Sequence, residues 1–276
     1  MSRERIKIFL KKIVEGGREF AVWEIDLKSV KVARRYCIML IVTLTIGLVS
    51  TTIEGIVVYI KEGIPIRTEV VLYPSPQDTG IVINILRTLV EIHWWLLIQL
   101  MTAVDCLVAT SLVFVGYKFR TLEAYFGSLR QKYLQRSGEN LDVLERDFRK
   151  DFITGIKFHK EILWSQRNLQ YALGTTYSIQ ITEGLLLLSL AMVKMVTMEQ
   201  NSATLFQFLS YMACVTLLTG AYMLSGGDII IEAEKIPNAI FNSGWELTRS
   251  SQRLRSLVVI SIIQSQVPVF MTAFGI

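Results

Sequence analysis

The residues that could do chemistry in this chain lie inside apolar runs, where a charge needs a physical reason. Glu54, Glu91, His93, Asp105 and Glu183 each interrupt a hydrophobic segment. A charge at mid-bilayer costs about 2.5–3.5 kcal/mol on insertion scales. Apart from Arg87 and Lys194, near segment ends, no base offsets them. Two readings fit: a cation pathway or aqueous cavity lined by carboxylates, or carboxyl groups hydrogen-bonded between helices. Both stay open for Asp105 and Glu183, and a wet vestibule is an equal alternative for Glu54, Glu91 and His93.

Enzymatic constellations are not expected. His93 and His159 fall in separate segments, and neither has a carboxylate or cysteine partner at motif spacing. The three cysteines, Cys37, Cys106 and Cys214, all sit in apolar runs, an odd count with no metal-ligand spacing. Serine-hydrolase and phosphate-loop patterns are missing, and Gly226-Gly227 reads as a helix-end signal. The pattern therefore predicts no catalytic residue, no metal and no cofactor.

The elements that must position these residues are membrane helices. Hydrophobic residues make up 51% of the 276 and charged residues only 19%, and mean hydropathy is +0.42. A bilayer core of about 30 Å needs about 20 apolar residues in a helix. Five segments qualify: 36–60, 87–114, 171–196, 203–226 and 257–276. Of the five prolines only Pro268 falls in one of them, which leaves the other four free to be helical. The expected fold is an all-α, multi-pass transmembrane bundle behind a basic segment at 1–35, with helical regions at 115–170 and 227–256 outside the bilayer.

Orientation follows from the basic residues. Residues 1–35 carry ten Lys and Arg, 115–170 carry eleven and 227–256 carry four, so 25 of 29 lie on one side in strict alternation. That side is expected to be cytoplasmic, with the N-terminus inside and the C-terminus outside. Outside the bilayer, Leu122, Phe126, Leu129 and Tyr133 repeat at helical spacing, as do Leu141, Leu144, Phe148, Phe152 and Ile156. Gly138 and Asn140 separate the two stripes, with Asn140 the expected N-cap. The stripes need a partner, either each other or another subunit. Ile6, Phe9, Leu10 and Ile13 form a shorter stripe that fits the inner leaflet or a solvated helix equally. Trp94 and Trp95 sit where interfacial aromatic belts sit, and an inward-facing ring would instead line an apolar pocket. Phe206, Phe208 and Tyr211 carry the same ambiguity.

The C-terminal residues carry a resemblance. Leu224-Ser225-Gly226-Gly227-Asp228 leads to Glu232, then Phe241-Asn242-Ser243 and Trp245, then Ser265-Gln266-Val267-Pro268 and Thr272-Ala273-Phe274-Gly275. Upstream, Asp105, Phe119-x-x-Leu122 and Ile156-Lys157-x-His159 stand in the same order as their counterparts. Together these resemble the insect odorant-receptor family of ligand-gated cation channels. Phe241 stands where the family usually has Tyr, and Gln264 where a basic residue is common.

The resemblance implies that the five segments correspond to the third to seventh helices of a seven-helix protein. The first two helices and the end of the last would then lie outside this sequence. It further implies a plasma-membrane odorant-receptor subunit of sensory-neuron dendrites. Such a subunit binds a small volatile organic ligand and gates a nonselective cation pore in a hetero-tetramer with a co-receptor. The ligand-contacting residues expected from depth and type are Thr52, Ile53, Val57, Trp94, Phe208, Tyr211 and Met212. The gating helix would carry Ser265, Gln266 and Pro268. Membrane lipid is an expected partner and nucleic acid is not. The alternatives are a gustatory receptor of the same superfamily, a truncated relic without function, and a secondary transporter, which would need inverted repeats and broken helices.

Overall fold

In the computed structural model the described residues are 11, 20, 22–63, 78, 80–197 and 202–269, and apart from short connections they are helical. Helix α1 runs Trp23–Glu62, α2 Ile81–Gln135, α3 Leu141–Thr197 and α4 Ser202–Glu234. A short α5, Ile236–Phe241, and one 3-10 turn at Trp245–Leu247 lead to α6, Gln252–Ser265. The stripe at Ile6, Phe9, Leu10 and Ile13 lies outside the described residues.

The helices form two compact units. One comprises residues 1–34, 110–178 and 222–276; the other comprises 35–109 and 179–221.

The first unit has an aromatic core, and the two stripes read from the sequence build it. Leu122, Phe126, Leu129 and Tyr133 of α2 are buried, as are Leu144, Phe148 and Phe152 of α3. Their rings meet: Tyr133 lies 5.1 Å from Phe148, Phe126 5.7 Å from Phe152, and Phe148 5.7 Å from Phe152. The stripes therefore partner each other within one chain. Leu141 departs from its stripe and is exposed, being the first residue of α3. Asn140 caps that helix, its side-chain oxygen accepting from the Asp142 N–H at 2.9 Å. Gly155 sets the approach of the pair, because a Cβ there would lie 2.8 Å from Tyr125 and 2.9 Å from Phe126. Gly116 brings α2 against α4, where a Cβ would lie 3.6 Å from Ile229.

Two boundaries differ from the sequence reading. Gly226-Gly227 does not end α4, which continues to Glu234. Beyond the glycines, Ile229 is fully buried and Glu232 nearly so. Glu232 holds Arg120 at 2.9 Å and Lys235 at 3.0 Å. Packing and ion pairing there outweigh the glycine cost of about 1 kcal/mol per residue. The expected segment 257–276 is also interrupted: α6 stops at Ser265, and residues 266–269 are not helical. Pro268 supplies the reason, since it has no N–H to donate and disfavours helical backbone at the residue before it. Residues 270–276 lie outside the described residues.

The second unit is assembled from apolar helices with exposed faces. Ile41, Leu96, Leu100, Leu185, Leu186 and Leu190 are all exposed, as expected of side chains whose solvent is lipid. Cys37 on α1 and Cys106 on α2 touch. Gly184 brings α3 to α4, where a Cβ would lie 3.3 Å from Val215. Among the described residues three stretches, Trp23–Lys61, Ile81–Gln135 and Phe208–Leu247, are long and apolar enough to cross a membrane; the apolar part of α3, Ser178–Leu190, is shorter.

Candidate functional site

Thr52, Ile53 and Val57 stand on α1, Trp94 on α2, and Phe208 and Met212 on α4. All belong to the second unit. Ile53 is exposed, whereas Thr52, Val57, Trp94, Phe208 and Met212 are half-buried. The Thr52 hydroxyl donates to the Leu48 carbonyl of its own helix at 2.9 Å, which satisfies it in a medium without water. Phe208 and Met212, four residues apart, share a helix face, while Phe206 and Leu209 are exposed. The two tryptophans do not separate into belt and pocket: both are half-buried, between exposed His93 and Leu96. The side chains of Glu54 and Tyr211 lie outside the described residues.

The acids that interrupt the apolar segments differ in burial. Asp105 is 4% exposed, whereas Glu91 and Glu183 are half-buried. Buried hydroxyls in this unit turn to their own helices. Thr102 donates to the Ile98 carbonyl at 2.8 Å and Ser50 to that of Gly47 at 2.7 Å.

The expected gating residues lie at the end of α6, in the first unit. Ser251 begins this helix as its N-cap, accepting from the Leu254 N–H. The Ser251 hydroxyl donates to Glu145 of α3, and its N–H donates to the same carboxylate at 3.1 Å. Arg249 pairs with Asp142 at 2.6 Å, so two contacts pin the start of α6 to α3. At the other end Ser265 is buried, its hydroxyl donating to the Ile262 carbonyl at 2.8 Å. The Gln266 N–H donates to the same carbonyl at 3.1 Å. Pro268 lines a cavity of about 590 Å³ with Gln264 and with Gln166, Arg167, Gln170 and Tyr171 of α3. Sequence reasoning missed this cavity; Gln166 and Gln170, four apart just before an apolar run, are the signal that could have found it.

A second cavity in this unit, of about 890 Å³, draws Lys28 from α1, Tyr117 and Arg120 from α2, Glu232 from α4 and Asn238 from α5. Arg120 also lies 4.6 Å over the Tyr117 ring. Several groups in this unit titrate away from their usual ranges. Burial lowers Lys118 to about 8, against the pull of Glu161 and Asp26. Burial also pushes His159 down to about 4. Burial, with Asp151 beside it, pushes Tyr125 up to about 12; its hydroxyl donates to the Asp151 carbonyl at 2.8 Å. Tyr133 is raised by burial and by its hydrogen bond to the Asp151 carboxylate. Through Asp151, Tyr125 and Tyr133 tie α2 to α3. His93 is on α2 in the second unit and His159 on α3 in the first. Among the described residues no group of three His, Cys, Asp or Glu is placed to hold a metal.

Comparison with known proteins identifies this architecture. The chain is similar in fold to the insect olfactory receptor OR5 from Machilis hrabei. The TM-score is 0.77 and the identity 12%, over 99% of this chain and 68% of that one. No curated protein matches it. The sequence model described as 7tm Odorant receptor matches residues 19–276. The chain belongs to the 7tm odorant receptor family.

Proposed function

We propose that this chain is an odorant-receptor subunit that binds a small volatile ligand and gates a nonselective cation channel together with a co-receptor. The observation that carries this reading is the family match across residues 19–276. The fold supports it, with apolar helices exposed as lipid-facing surfaces should be and a separate unit with its own aromatic core. In this reading the N-terminus is cytoplasmic and the C-terminus extracellular, following the basic-residue bias. The chain resides in the plasma membrane, and the aromatic-core unit is the cytosolic anchor of a hetero-tetramer.

The ligand pocket draws on Thr52, Val57, Trp94, Phe208 and Met212, whose half-burial leaves side-chain surface for a ligand, together with Ile53 and Tyr211. Mostly apolar walls with a few polar groups suit a volatile organic molecule. Gating is a population shift: the ligand favours the open arrangement of the helix that carries Ser265, Gln266 and Pro268, and its differential affinity sets the gain.

Concentration–response curves of ligand-evoked current in cells expressing the receptor with its co-receptor test the pocket. Trp94→Ala and Phe208→Ala should each raise the half-maximal ligand concentration about tenfold, the equivalent of about 1.4 kcal/mol. Unchanged potency in both variants at normal surface expression would remove these residues from the pocket.

A further inference from the structure

We infer that Cys37 and Cys106 are a redox modification site, a thiol pair that a hydroperoxide converts to a disulfide joining α1 to α2. The sulfur of Cys37 lies 3.9 Å from the Cys106 carbonyl oxygen, and the sulfur of Cys106 lies 4.0 Å from the Cys37 carbonyl oxygen. Each sulfur is thus held against the other cysteine's backbone, a reciprocal approach that brings the two residues within reach of a disulfide. Both residues are half-buried and unlinked, so a small neutral oxidant can reach them from the apolar phase.

The pair is separated by 69 positions and sits on two different helices. Helix periodicity does not explain such a meeting, and neither thiol has a role in the pocket or gating reading.

The chemistry balances with a hydroperoxide as the oxidant. One sulfur attacks the peroxide, the O–O bond breaks, and the cysteine becomes a sulfenic acid as one water leaves. The second sulfur then attacks the sulfenic sulfur; the S–O bond breaks, the S–S bond forms, and a second water carries away the remaining thiol proton. With hydrogen peroxide, two thiols and one peroxide give one disulfide and two waters. The sulfurs lose two electrons and the peroxide gains them. The bond ties together the helices that carry Thr52 and Trp94. Its effect on ligand response rests on the function proposed above, whereas its formation does not.

The test uses the full chain in membranes of expressing cells, exposed to hydrogen peroxide. Free thiols are then blocked with N-ethylmaleimide, the sample is reduced, and newly released thiols are counted by maleimide–polyethylene glycol gel shift. Peptide mass spectrometry maps the link. The expected result is two released thiols per chain, mapped to Cys37 and Cys106 of the same chain, in the unaltered protein and in Cys214→Ser alike. Cys37→Ser and Cys106→Ser should lose the protected pair. A link to Cys214, a link between chains, independent oxidation of all three cysteines, or no protected thiols would overturn the inference. Mapping in the unaltered protein decides between these results even if a variant fails to fold.

Discussion

The two units differ in where their large apolar side chains go. In the aromatic-core unit large rings are fully buried, among them Phe119, Phe126, Phe148 and Phe152, and Lys132 pairs with Asp151 at 2.6 Å nearer the surface. In the second unit Leu96, Leu100, Leu186 and Leu190 face outward, while Asp105, Thr102 and Ser50 are buried. The contrast follows from solvent. Water drives the phenyl rings inward at about 25 cal/mol per Å² of apolar area. Lipid exerts no such drive on a leucine, but polar groups must turn inward or bond to their own backbone. One chain therefore folds under two rules, and the same substitution should have different effects on the two sides.

The largest difference should come from truncation. Phe152→Ala in the aromatic core should cost about 3–5 kcal/mol, whereas Leu190→Ala on an exposed face should stay within about 0.5 kcal/mol. Denaturant unfolding in detergent micelles measures both; equal losses would break the comparison. Next is Glu232→Ala, which leaves Arg120 and Lys235 without their shared carboxylate. The loss should be about 3 kcal/mol, the low end for breaking a buried pair, because both cations are partly exposed.

The pH dependence should follow His159. Its folded pKa of about 4 lies below the ordinary value of 6.5, so between those values the unfolded chain binds the extra proton. Stability from this group is therefore complete above pH 6.5 and is lost as pH falls towards 4, by up to about 3 kcal/mol. A His159→Phe variant should show a shallower acid slope across that window; an identical slope would remove His159 as the cause. Within the aromatic core the smallest effect should be Gly155→Ala, at about 1–3 kcal/mol. A Cβ there meets Tyr125 and Phe126 at under 3 Å, and a neutral result would mean the rings yield more than their burial suggests.

The same contrast explains how much was legible in the sequence. The aromatic core could be read because water imposes periodicity: Leu122, Phe126, Leu129 and Tyr133 appear at helical spacing and are all buried. Asn140 was legible as a cap for a local reason, its hydrogen bond to Asp142. The continuation of α4 through Gly226-Gly227 was not, because Ile229 and Glu232 hold it with contacts from distant helices. Phe20 gave no signal either, although its ring stacks on Phe158 at 4.5 Å and meets Tyr125 edge-on at 4.9 Å. In the second unit the apolar segments were plain, but which face turns inward was not. Lipid-facing and bundle-facing positions are both apolar, so Phe206 and Phe208 look alike in sequence and differ in exposure. The meeting of Cys37 with Cys106 was hidden for the same reason.

The most direct test of the account is a current recording from cells expressing the receptor with the family's co-receptor, compared with cells expressing the co-receptor alone. The account predicts a ligand-evoked current carried by sodium and potassium alike, present only when this chain is expressed, and weakened by Trp94→Ala. Surface expression without any current across a broad panel of volatile ligands would contradict it.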